Sequence, residues 1–365
     1  MKTTSFLLVD SFYPINTRNV KIAESIEKLY NKSKVDIVAW NRENRKIQDK
    51  HQNYHIYNKY SPAGKLFLKL INLYYFAKFV KNINNELKSK ILIASHWEVL
   101  FLLSLFKRKE QILIYENLDI PTARYSFVLK ILQHIEKIAL KKTDAIFFAS
   151  RFFYPLYDFY KGEKFILENK PIKNIVHNKI CRCRNTDFVI SYIGNVRYLP
   201  IMKNLIDAVK DIHYIKLMIH GDGASLNDLK EYSKHCTNVY FTGRYEVEKL
   251  PQLYENTDIV WAVYPNDDYN VKYAISNKFH ESLMYHKPCI YANRTELGDY
   301  VENNSLGWTV NPYCSKSIKE LITSIYNNPT ILFNIKKNLE QEFSKAKTWE
   351  EDLQPIISYI NKIKD

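Results

Sequence analysis

Short apolar runs alternate with longer tracts of helical periodicity along this sequence, and the pattern occurs twice. In the first half, the runs at residues 6–9 and 91–94 are each followed by a helical tract. The alternation restarts at residues 188–193, after a polar and basic stretch over residues 169–187. Such alternation is typical of parallel α/β sheets. The sequence therefore predicts an α/β protein of two doubly wound, Rossmann-like parallel-sheet domains that face each other across a cleft.

The same pattern sets the expected elements and domain bounds. The predicted strands are residues 6–9, 35–40, 91–94, 112–115, 145–149, 188–193, 215–219, 239–241, 259–263 and 289–291. The predicted helices are residues 19–30, 65–83, 99–106, 126–142, 201–210, 226–235, 249–255 and 349–364, with a further short helix after Ser276. We expect a first domain over residues 1–168, a linker over 169–187, a second domain over 188–345 and a terminal segment over 346–365.

Composition and cysteine usage indicate a cytosolic protein. The contents of 46% hydrophobic and 25% charged residues are ordinary for a globular chain. No signal peptide is expected, because the apolar run at residues 6–9 stops at Asp10. The tract 91–106 is broken by polar residues and is not expected to span a membrane. The five cysteines lack paired spacing, which predicts reduced thiols.

Positive charge is concentrated in the first half. Residues 1–180 carry 31 Lys and Arg against 16 Asp and Glu, whereas residues 181–365 carry 22 against 23. Such asymmetry suggests that the first half meets an anionic surface, either a membrane or a nucleic acid, although scattered solubilising lysines would give the same balance. The sequence has no basic and aromatic motif of recognised spacing, so nucleic acid is not expected.

Glycine-containing turns follow three predicted strands of the second half. They lie at residues 194–197, 221–223 and 242–245. Ligands of open α/β sheets bind beyond the carboxyl ends of the strands, where small turns can approach a phosphate. Together the turns predict nucleotide binding, although each alone could be an ordinary turn. The candidate ligand residues in them are Gly194, Asn195, Arg197, Gly221, Gly223, Gly243, Arg244 and Tyr245.

A short helix after Ser276 supplies the fourth candidate strand end. The Ser276 hydroxyl can cap the first turn. Asn277, Lys278 and Glu281 fall on one arc of this helix, whereas Phe279 lies on another that suits packing. An amide, an ammonium and a carboxylate beside the positive end of a helix suit a phosphate. An amphipathic helix with a solvated polar face is the alternative.

These motifs together resemble the donor-binding domain of GT-B-fold glycosyltransferases, closest to the family-four (group 1) type of bacterial surface and capsular polysaccharide synthesis. The first half is similar to the amino-terminal unit of that group, through Tyr13, Pro14 and Arg18 before a helix. Asn169 stands where the family leaves its first domain. Trp349 and its helix resemble the segment that crosses back onto the first domain. The resemblance implies a nucleoside diphosphate sugar as donor and no further cofactor.

The resemblance also implies roles for the donor-side residues. Glu281 would hold the ribose hydroxyls, and Asn277, Lys278 and Arg197 would neutralise the diphosphate of the leaving nucleotide. Backbone groups near residues 244–245 would read the base. Cationic side chains and a helix terminus would replace a metal ion, and the sequence has no Asp-x-Asp triplet. We therefore expect a metal-independent enzyme.

The sequence leaves the stereochemistry of transfer open. Retaining members of the family carry a second glutamate eight positions before the ribose-binding one, and this chain has Tyr273 there. They also place an arginine five residues before a lysine, whereas Arg197 and Lys203 are six apart. His286 stands where the family often has glycine, so it is expected to end the helix in the left-handed region or with another cap.

The acceptor side is expected at strand ends of the first half. His96 lies where many family members carry a functional histidine, although a residue there can also serve only for packing or capping. Glu98, Glu116 and Asp119 are alternatives, since an inverting reaction needs a group that removes the acceptor hydroxyl's proton. Asp119 is the preferred base for inversion, and a retaining reaction needs none.

A stripe of basic side chains is expected on the helix over residues 126–142. Lys130, His134, Lys137 and Lys141 fall on one face, and with the lysine-bearing apolar tract 65–81 they could dock the first domain on an anionic inner leaflet. A solvated face and a core helix, respectively, are the alternative interpretations.

The sequence thus predicts a cytosolic, peripheral-membrane hexosyltransferase that uses a UDP-sugar and a lipid-linked or oligosaccharide acceptor in surface polysaccharide synthesis. A nucleotide-sugar epimerase on the same fold would act on the donor without an acceptor. A catalytically silent GT-B-like partner subunit is the rival from another class, and Tyr273 is the residue that suggests it.

Overall fold

A computed structural model of the chain describes residues 5–29, 33–47, 51–61, 66–123, 125–171 and 187–363. The chain divides into two compact units, Met1–Leu167 and Glu168–Asp365. Most of the linker expected over residues 169–187 lies outside the described residues, which stop at residue 171 and resume at residue 187. The return of residues 346–365 to the first domain stays a prediction.

The first unit is built on a parallel sheet of seven strands in the order β3-β2-β1-β4-β5-β6-β7. Its strands are β1 (Ser5–Asp10), β2 (Lys34–Asn41), β3 (Tyr54–Asn58), β4 (Ile91–Ser95), β5 (Ile112–Asn117), β6 (Ala145–Phe148) and β7 (Glu163–Ile166). Its helices are α1 (Thr17–Leu29), α2 (Leu66–Leu87), α3 (Trp97–Phe106) and α4 (Ser126–Leu140). The strand order reverses between β1 and β4, so a crevice is expected at their carboxyl ends.

The central strands of this sheet are buried on both faces, which explains their uninterrupted apolar sequences. β4 is buried throughout, and β1 is buried after its first residue. Helices α2, α3 and α4 lie in the connections β3–β4, β4–β5 and β5–β6, which all run in the same direction across the sheet. Because such crossovers are right-handed, the three helices lie on one face of the sheet. The outer sides of these helices therefore form one surface of the unit.

The second unit has a parallel sheet of six strands in the order β10-β9-β8-β11-β12-β13. Its strands are β8 (Phe188–Ile193), β9 (Ile215–His220), β10 (Val239–Gly243), β11 (Ile259–Ala262), β12 (Cys289–Ala292) and β13 (Gly307–Val310). Its helices are α5 (Leu199–Val209), α6 (Leu226–Tyr232), α7 (Leu250–Glu255), α8 (Tyr269–Tyr273), α9 (Asn277–Tyr285), α10 (Glu296–Asn303), α11 (Ser315–Asn327), α12 (Pro329–Lys345) and α13 (Trp349–Lys362). The order reverses between β8 and β11.

The short helix after Ser276 forms as its sequence predicts. The Ser276 hydroxyl accepts a hydrogen bond from the amide of Lys278 at 3.3 Å and caps α9. Phe279 is buried on the packing side. His286 ends the helix with φ 51° and ψ 40°, so the expected left-handed residue is present and is not a glycine.

The structure also contains strands and helices that the apolar pattern did not predict. The edge strand β3 is only half-buried, and β7 has four residues of which two are exposed, so neither leaves a continuous apolar run. Strand β5 extends two residues beyond the predicted end. Glu116, expected just after the strand, therefore lies inside it and is fully buried.

Candidate functional site

Three glycines with positive φ end the first three strands of the second unit. Gly194 follows β8 at φ 137°, Gly221 follows β9 at φ 135°, and Gly243 ends β10 at φ 74°. The amide of Gly194 donates to the carbonyl of His220 at 2.9 Å, and that of Gly221 donates to Gly243 at 2.8 Å. L side chains rarely adopt such φ values, so these turns favour glycine. The predicted turns therefore lie side by side at one edge of the sheet.

The first two turns also pack directly against each other. A Cβ at Gly221 would lie 1.8 Å from the carbonyl oxygen of Gly194, and one at Gly223 would lie 2.4 Å from that of Val196. The amide of Val196 donates to the carbonyl of Asp222 at 2.9 Å. Close backbone packing thus accounts for the absence of side chains at residues 221 and 223.

Lys278 lies at the point where the strand order reverses. Its ammonium donates to the hydroxyl of Tyr264 at 2.8 Å and lies 4.7 Å from the ring centroid of Tyr192. A Cβ at Gly194 would lie 3.3 Å from Lys278 Nζ, so the ammonium reaches the turn after β8. Tyr264 follows β11, and Tyr192 belongs to β8. The first turn of α9 is thereby joined to both strands at the switch point.

Burial of Lys278 was not expected from the sequence. The arc it shares with Asn277 and Glu281 was predicted as the polar side of α9, opposite the packing side, yet the residue is only 6% exposed. Among the described residues, no carboxylate lies within ion-pair distance of it. Burial alone would lower the pKa of Lys278, but Tyr264 and Tyr192, with a smaller contribution from Glu281, outweigh that effect and raise it. The site therefore holds a buried cation with no described carboxylate at ion-pair distance.

Arg197 supplies a second cation near the same tyrosines. Its guanidinium lies 4.8 Å from the ring centroid of Tyr198 and 6.0 Å from that of Tyr264. The side chain is exposed, and within the described parts of the chain no carboxylate pairs with it. Lys203 points elsewhere, since its ammonium lies 4.5 Å from the ring centroid of Tyr232. Lys278, rather than Lys203, is thus the lysine that accompanies Arg197.

Glu281 and Tyr245 come together on the next part of this surface. The hydroxyl of Tyr254 donates to Glu281 Oε2 at 2.5 Å. Burial raises the pKa of Tyr245, and the negative charge of Glu281 raises it further, so the two side chains are near each other. The same two causes raise the pKa of Tyr285 to about 12. Helix α9 therefore brings one predicted ribose ligand close to one predicted base-reading residue.

The other predicted donor-side residues lie around this group. Asn277 is exposed, and its Oδ1 accepts from Nδ2 of Asn169 at 3.0 Å. The carbonyl of Asn195 accepts from the hydroxyl of Tyr192. Arg244 is exposed after β10. Tyr273 lies at the end of α8, where its ring packs edge-on against Tyr269 with centroids 5.4 Å apart.

In the first unit, His96 lies where the order of its strands reverses. It follows β4 with φ 74° and packs edge-on against Phe12, which follows β1, at 5.5 Å between ring centroids. Phe12 is 48% exposed. The left-handed region is costly for a histidine, and such outliers concentrate at functional sites. The acceptor role of His96 stays a prediction.

The three carboxylates proposed as alternatives to His96 differ in their surroundings. Glu116 is buried, and its Oε1 accepts from Nε of Arg18 at 2.5 Å. Burial raises the pKa of Glu116 although Arg18 opposes it. Glu98 pairs with Arg42 at 3.5 Å. Asp119 is exposed beyond β5. Asp119 is the most exposed of the three carboxylates, and Glu116 is the least.

The described residues contain neither a metal-binding cluster nor a membrane-spanning helix. No cluster of three or more His, Cys, Asp or Glu side chains that could hold a metal ion occurs among them. None of their helices is both long enough and apolar enough to cross a membrane.

Comparison with protein families identifies the second unit. Residues 187–328 match the model of the family described as glycosyl transferases group 1. The second unit is a group 1 glycosyl transferase domain. The matched residues contain the three glycine turns, Arg197 and the whole of α9. The buried cation and the paired glutamate described above therefore lie inside the glycosyl transferase domain.

Similar proteins extend the comparison to the whole chain. A capsular polysaccharide biosynthesis glycosyltransferase of Staphylococcus aureus, CapM, is 27% identical over 199 residues, which cover 52% of this chain and 50% of CapM. The match thus spans about half the length of that curated relative. Sucrose-phosphate synthase from Thermosynechococcus elongatus aligns with a TM-score of 0.75 at 13% identity over 99% of both chains. Anabaena HepE in complex with UDP aligns with a TM-score of 0.71 at 14% identity, over 98% of this chain and all of that one. The chain has the GT-B fold, and residues 187–328 match the group 1 family.

Proposed function

We propose that this protein is a glycosyltransferase that moves a hexosyl group from a UDP-sugar to a lipid-linked or oligosaccharide acceptor in surface polysaccharide synthesis. The observation that carries the proposal is the buried ammonium of Lys278 at the switch point of the glycosyl transferase domain. A buried charge is costly unless it is compensated, and no described carboxylate forms an ion pair with this one. An anionic ligand at that place would do so.

The geometry suits a nucleoside diphosphate. Lys278, the exposed guanidinium of Arg197 and the amino end of α9 lie close together, and each favours phosphate oxygens. As the bond between sugar and phosphate breaks, negative charge grows on the leaving diphosphate. Fixed positive groups stabilise that charge more than the charge of the bound substrate, which lowers the barrier. Two cations and a helix terminus can fulfil this role without a metal ion.

Glu281 is suited to the ribose. Its Oε2 is held by Tyr254, which fixes the carboxylate three residues after Lys278 on α9. A carboxylate can accept from two vicinal hydroxyls at once. Ribose and diphosphate are adjacent in a nucleotide, so one turn of α9 would bind both. The nearby Tyr245 and Arg244 would then face the base.

The comparisons support this assignment in two ways. HepE, whose fold this chain shares, was solved with UDP. CapM is named for capsular polysaccharide biosynthesis, and its similarity motivates the surface polysaccharide acceptor.

Calorimetry with purified full-length protein tests the donor assignment. We expect UDP to bind and Glu281→Ala to weaken binding of UDP and uridine by about tenfold to a hundredfold, because the ribose contacts are charge-assisted hydrogen bonds. Glu320→Ala is the matched control, since Glu320 lies 65% exposed on α11. Absence of binding by both UDP and GDP would refute the proposal. Unchanged affinity in Glu281→Ala would refute the ribose assignment alone.

Donor turnover separates transfer from its rivals. Slow release of free sugar from UDP-sugars, without conversion of the donor, is expected of a transferase. Conversion of the donor to an isomer would identify an epimerase, and absence of any turnover with every donor and acceptor would favour a silent subunit. His96→Ala should abolish transfer if the histidine acts as the base of an inverting reaction, whereas Asp119→Asn tests the exposed carboxylate in the same assay.

We further propose that the first unit binds the anionic inner leaflet, where a lipid-linked acceptor would reside. Helix α4 exposes Lys130, His134, Lys137 and Lys141 within an arc of about 60°, at about 100° per residue. The adjoining arc exposes apolar side chains, namely Phe127, Ile131 and Ile138. A cationic strip beside an exposed apolar strip is the pattern of helices that lie in the membrane interface.

Neighbouring helices extend this surface. On α2, Ile71, Tyr74 and Tyr75 are exposed large apolar side chains, and Leu105 is exposed on α3. Helices α2, α3 and α4 share one face of the sheet, so these side chains add to the strip on α4. The excess positive charge of residues 1–180 complements anionic lipids.

Vesicle sedimentation tests the membrane proposal. The wild-type protein should sediment with vesicles of phosphatidylcholine and phosphatidylglycerol, less so in high salt and little with phosphatidylcholine alone. Phe127→Ser should reduce binding severalfold, while Phe333→Ser should not, because Phe333 has the same 66% exposure but lies on α12 of the other unit. Equal losses in the two variants would contradict a specific docking surface.

A further inference from the structure

Tyr264 connects the groups that we assign to the diphosphate. It lies two residues beyond β11, and its phenol oxygen accepts from Nζ of Lys278 at 2.8 Å and from Oγ of Ser276 at 3.3 Å. Ser276 in turn caps α9 through the amide of Lys278. A single phenol oxygen therefore fixes both the buried ammonium and the cap of the helix that carries it.

The ring of Tyr264 reaches the opposite side of the switch point. Tyr198, before α5, packs edge-on against it with ring centroids 5.8 Å apart. The guanidinium of Arg197 lies 4.8 Å from the ring centroid of Tyr198 and 6.0 Å from that of Tyr264. Tyr264 thus contacts residues of α9 and residues that follow β8.

The hydroxyl of Tyr264 accepts two hydrogen bonds and donates none to the described residues. Both lone pairs of the oxygen are used by Lys278 and Ser276, and among the described residues no acceptor lies within hydrogen-bond distance of the phenol's own proton. The residue is partly exposed. Burial alone would raise the pKa of Tyr264, but Lys278 and the donated hydrogen bonds outweigh it and lower that pKa. The hydroxyl is therefore a stronger donor than an ordinary phenol.

A phenol at this position has an advantage over a carboxylate. A carboxylate would hold Lys278 equally well, but it would cancel the charge and repel a phosphate. A neutral oxygen orients the ammonium and leaves its positive charge available to an anion. A tyrosine here thus agrees with the absence, among the described residues, of a carboxylate at ion-pair distance from Lys278.

We propose that Tyr264 positions Lys278 and Ser276 and donates its own hydroxyl proton to a diphosphate oxygen of the bound nucleotide. This inference rests on the proposed function, because it assumes that the switch point binds a nucleoside diphosphate. Tyr264 is not among the residues that the sequence singled out. It would contact the part of the ligand that uridine lacks.

Tyr264→Phe tests the inference because it removes only the hydroxyl. We expect the affinity for UDP to fall by about tenfold or more, since hydrogen bonds to charged groups are among the stronger ones. The affinity for uridine should not change, and UMP should show an intermediate loss. Tyr240→Phe is the matched control, because the Tyr240 hydroxyl donates to the carbonyl of Thr237 on the exposed edge strand β10.

Two further variants distinguish positioning from general disruption. Ser276→Ala removes a donor to Tyr264 and should give a smaller loss that is also selective for UDP over uridine. In a double-mutant cycle, Lys278→Met should cost less UDP affinity in the Tyr264→Phe background than in the wild type, because the two groups act together. Additive losses would show that Tyr264 does not act through Lys278.

The possible failures are separable. Equal UDP affinities of the wild type and Tyr264→Phe would overturn the inference and leave the proposed function intact. Equal losses for UDP and uridine would also overturn it, because they indicate a distorted site. Wild-type protein that binds neither UDP nor GDP would overturn both proposals.

Discussion

Replacement of Glu136 by glutamine should make the first unit more stable at neutral and alkaline pH. Glu136 lies on α4 and is buried. Its Oε1 accepts from the hydroxyl of Tyr157 at 2.6 Å and from that of Tyr115 at 2.9 Å. Burial raises the pKa of Glu136 from 4.5 to about 7, although the two tyrosines and Lys137 oppose the shift. The folded unit therefore prefers the protonated acid.

The sign and size of the effect follow from this shift. A carboxyl group whose folded pKa is raised contributes stability below its unfolded pKa and loses it as pH rises through the folded value. The window here runs from about pH 4.5 to about pH 7. Each unit of pKa corresponds to about 1.4 kcal/mol, so about 3 kcal/mol of unfolding free energy should be lost across the window. Glutamine keeps an acceptor for the tyrosines and has no charge to desolvate.

Amide hydrogen exchange of the full chain measures this effect within the first unit. The exchange rates of peptides from β5 and α4 are compared after correction for the intrinsic rate at each pH. The wild type should lose protection between pH 5 and 8, whereas Glu136→Gln should show a flat profile and more protection at pH 8. Glu163→Gln is the control, because Glu163 is exposed on β7. A wild-type profile as flat as that of the variant would refute the reasoning.

Two further predictions concern the glycosyl transferase domain. Gly221→Ala should reduce UDP affinity at least tenfold in calorimetry, because the new Cβ would lie 1.8 Å from a carbonyl oxygen. In Gly243→Ala the new Cβ meets no atom within 4 Å, so this variant should cost only the strain of φ 74°. Equal effects of the two variants would contradict the packing argument. His286→Gly should raise the unfolding free energy of the domain by about 1 kcal/mol in urea titrations, because glycine adopts the left-handed region without strain. An unchanged or lower urea midpoint would show that loss of the contact between the His286 and Phe343 rings outweighs the strain.

The sequence was sufficient to predict the architecture, the glycine turns and the two ends of α9. Strand–helix alternation gave the α/β class, and glycines at successive strand ends marked the edge where the turns meet. The Ser276 cap and the end of α9 at His286 were also predicted correctly. These features depend on local backbone geometry, which the residue types constrain directly. The assignment of individual ligand contacts stays a prediction.

The parts that were missed depend on contacts between distant segments. The helical arc of α9 predicted Lys278 on the polar side, but β8 and β11 bring Tyr192 and Tyr264 over it, and no local pattern indicates that. Tyr264 belongs to no motif, and its contacts appear only when the sheet places it beside α9. Glu116 was expected just after β5, yet β5 continues past it and Arg18 of α1 pairs with it. A single sequence does not show which distant side chains meet.

The interlocked turns after β8 and β9 have a consequence for redesign of this protein. Since the backbones of residues 194–196 and 221–223 fill each other's space, neither turn can be varied without a compensating change in the other. Libraries that seek a new donor should therefore leave both turns untouched. Arg244 and Tyr245 follow a turn with open space around Gly243, so diversity is best tolerated there. Evolution of a different nucleotide preference would be expected to begin at those two positions.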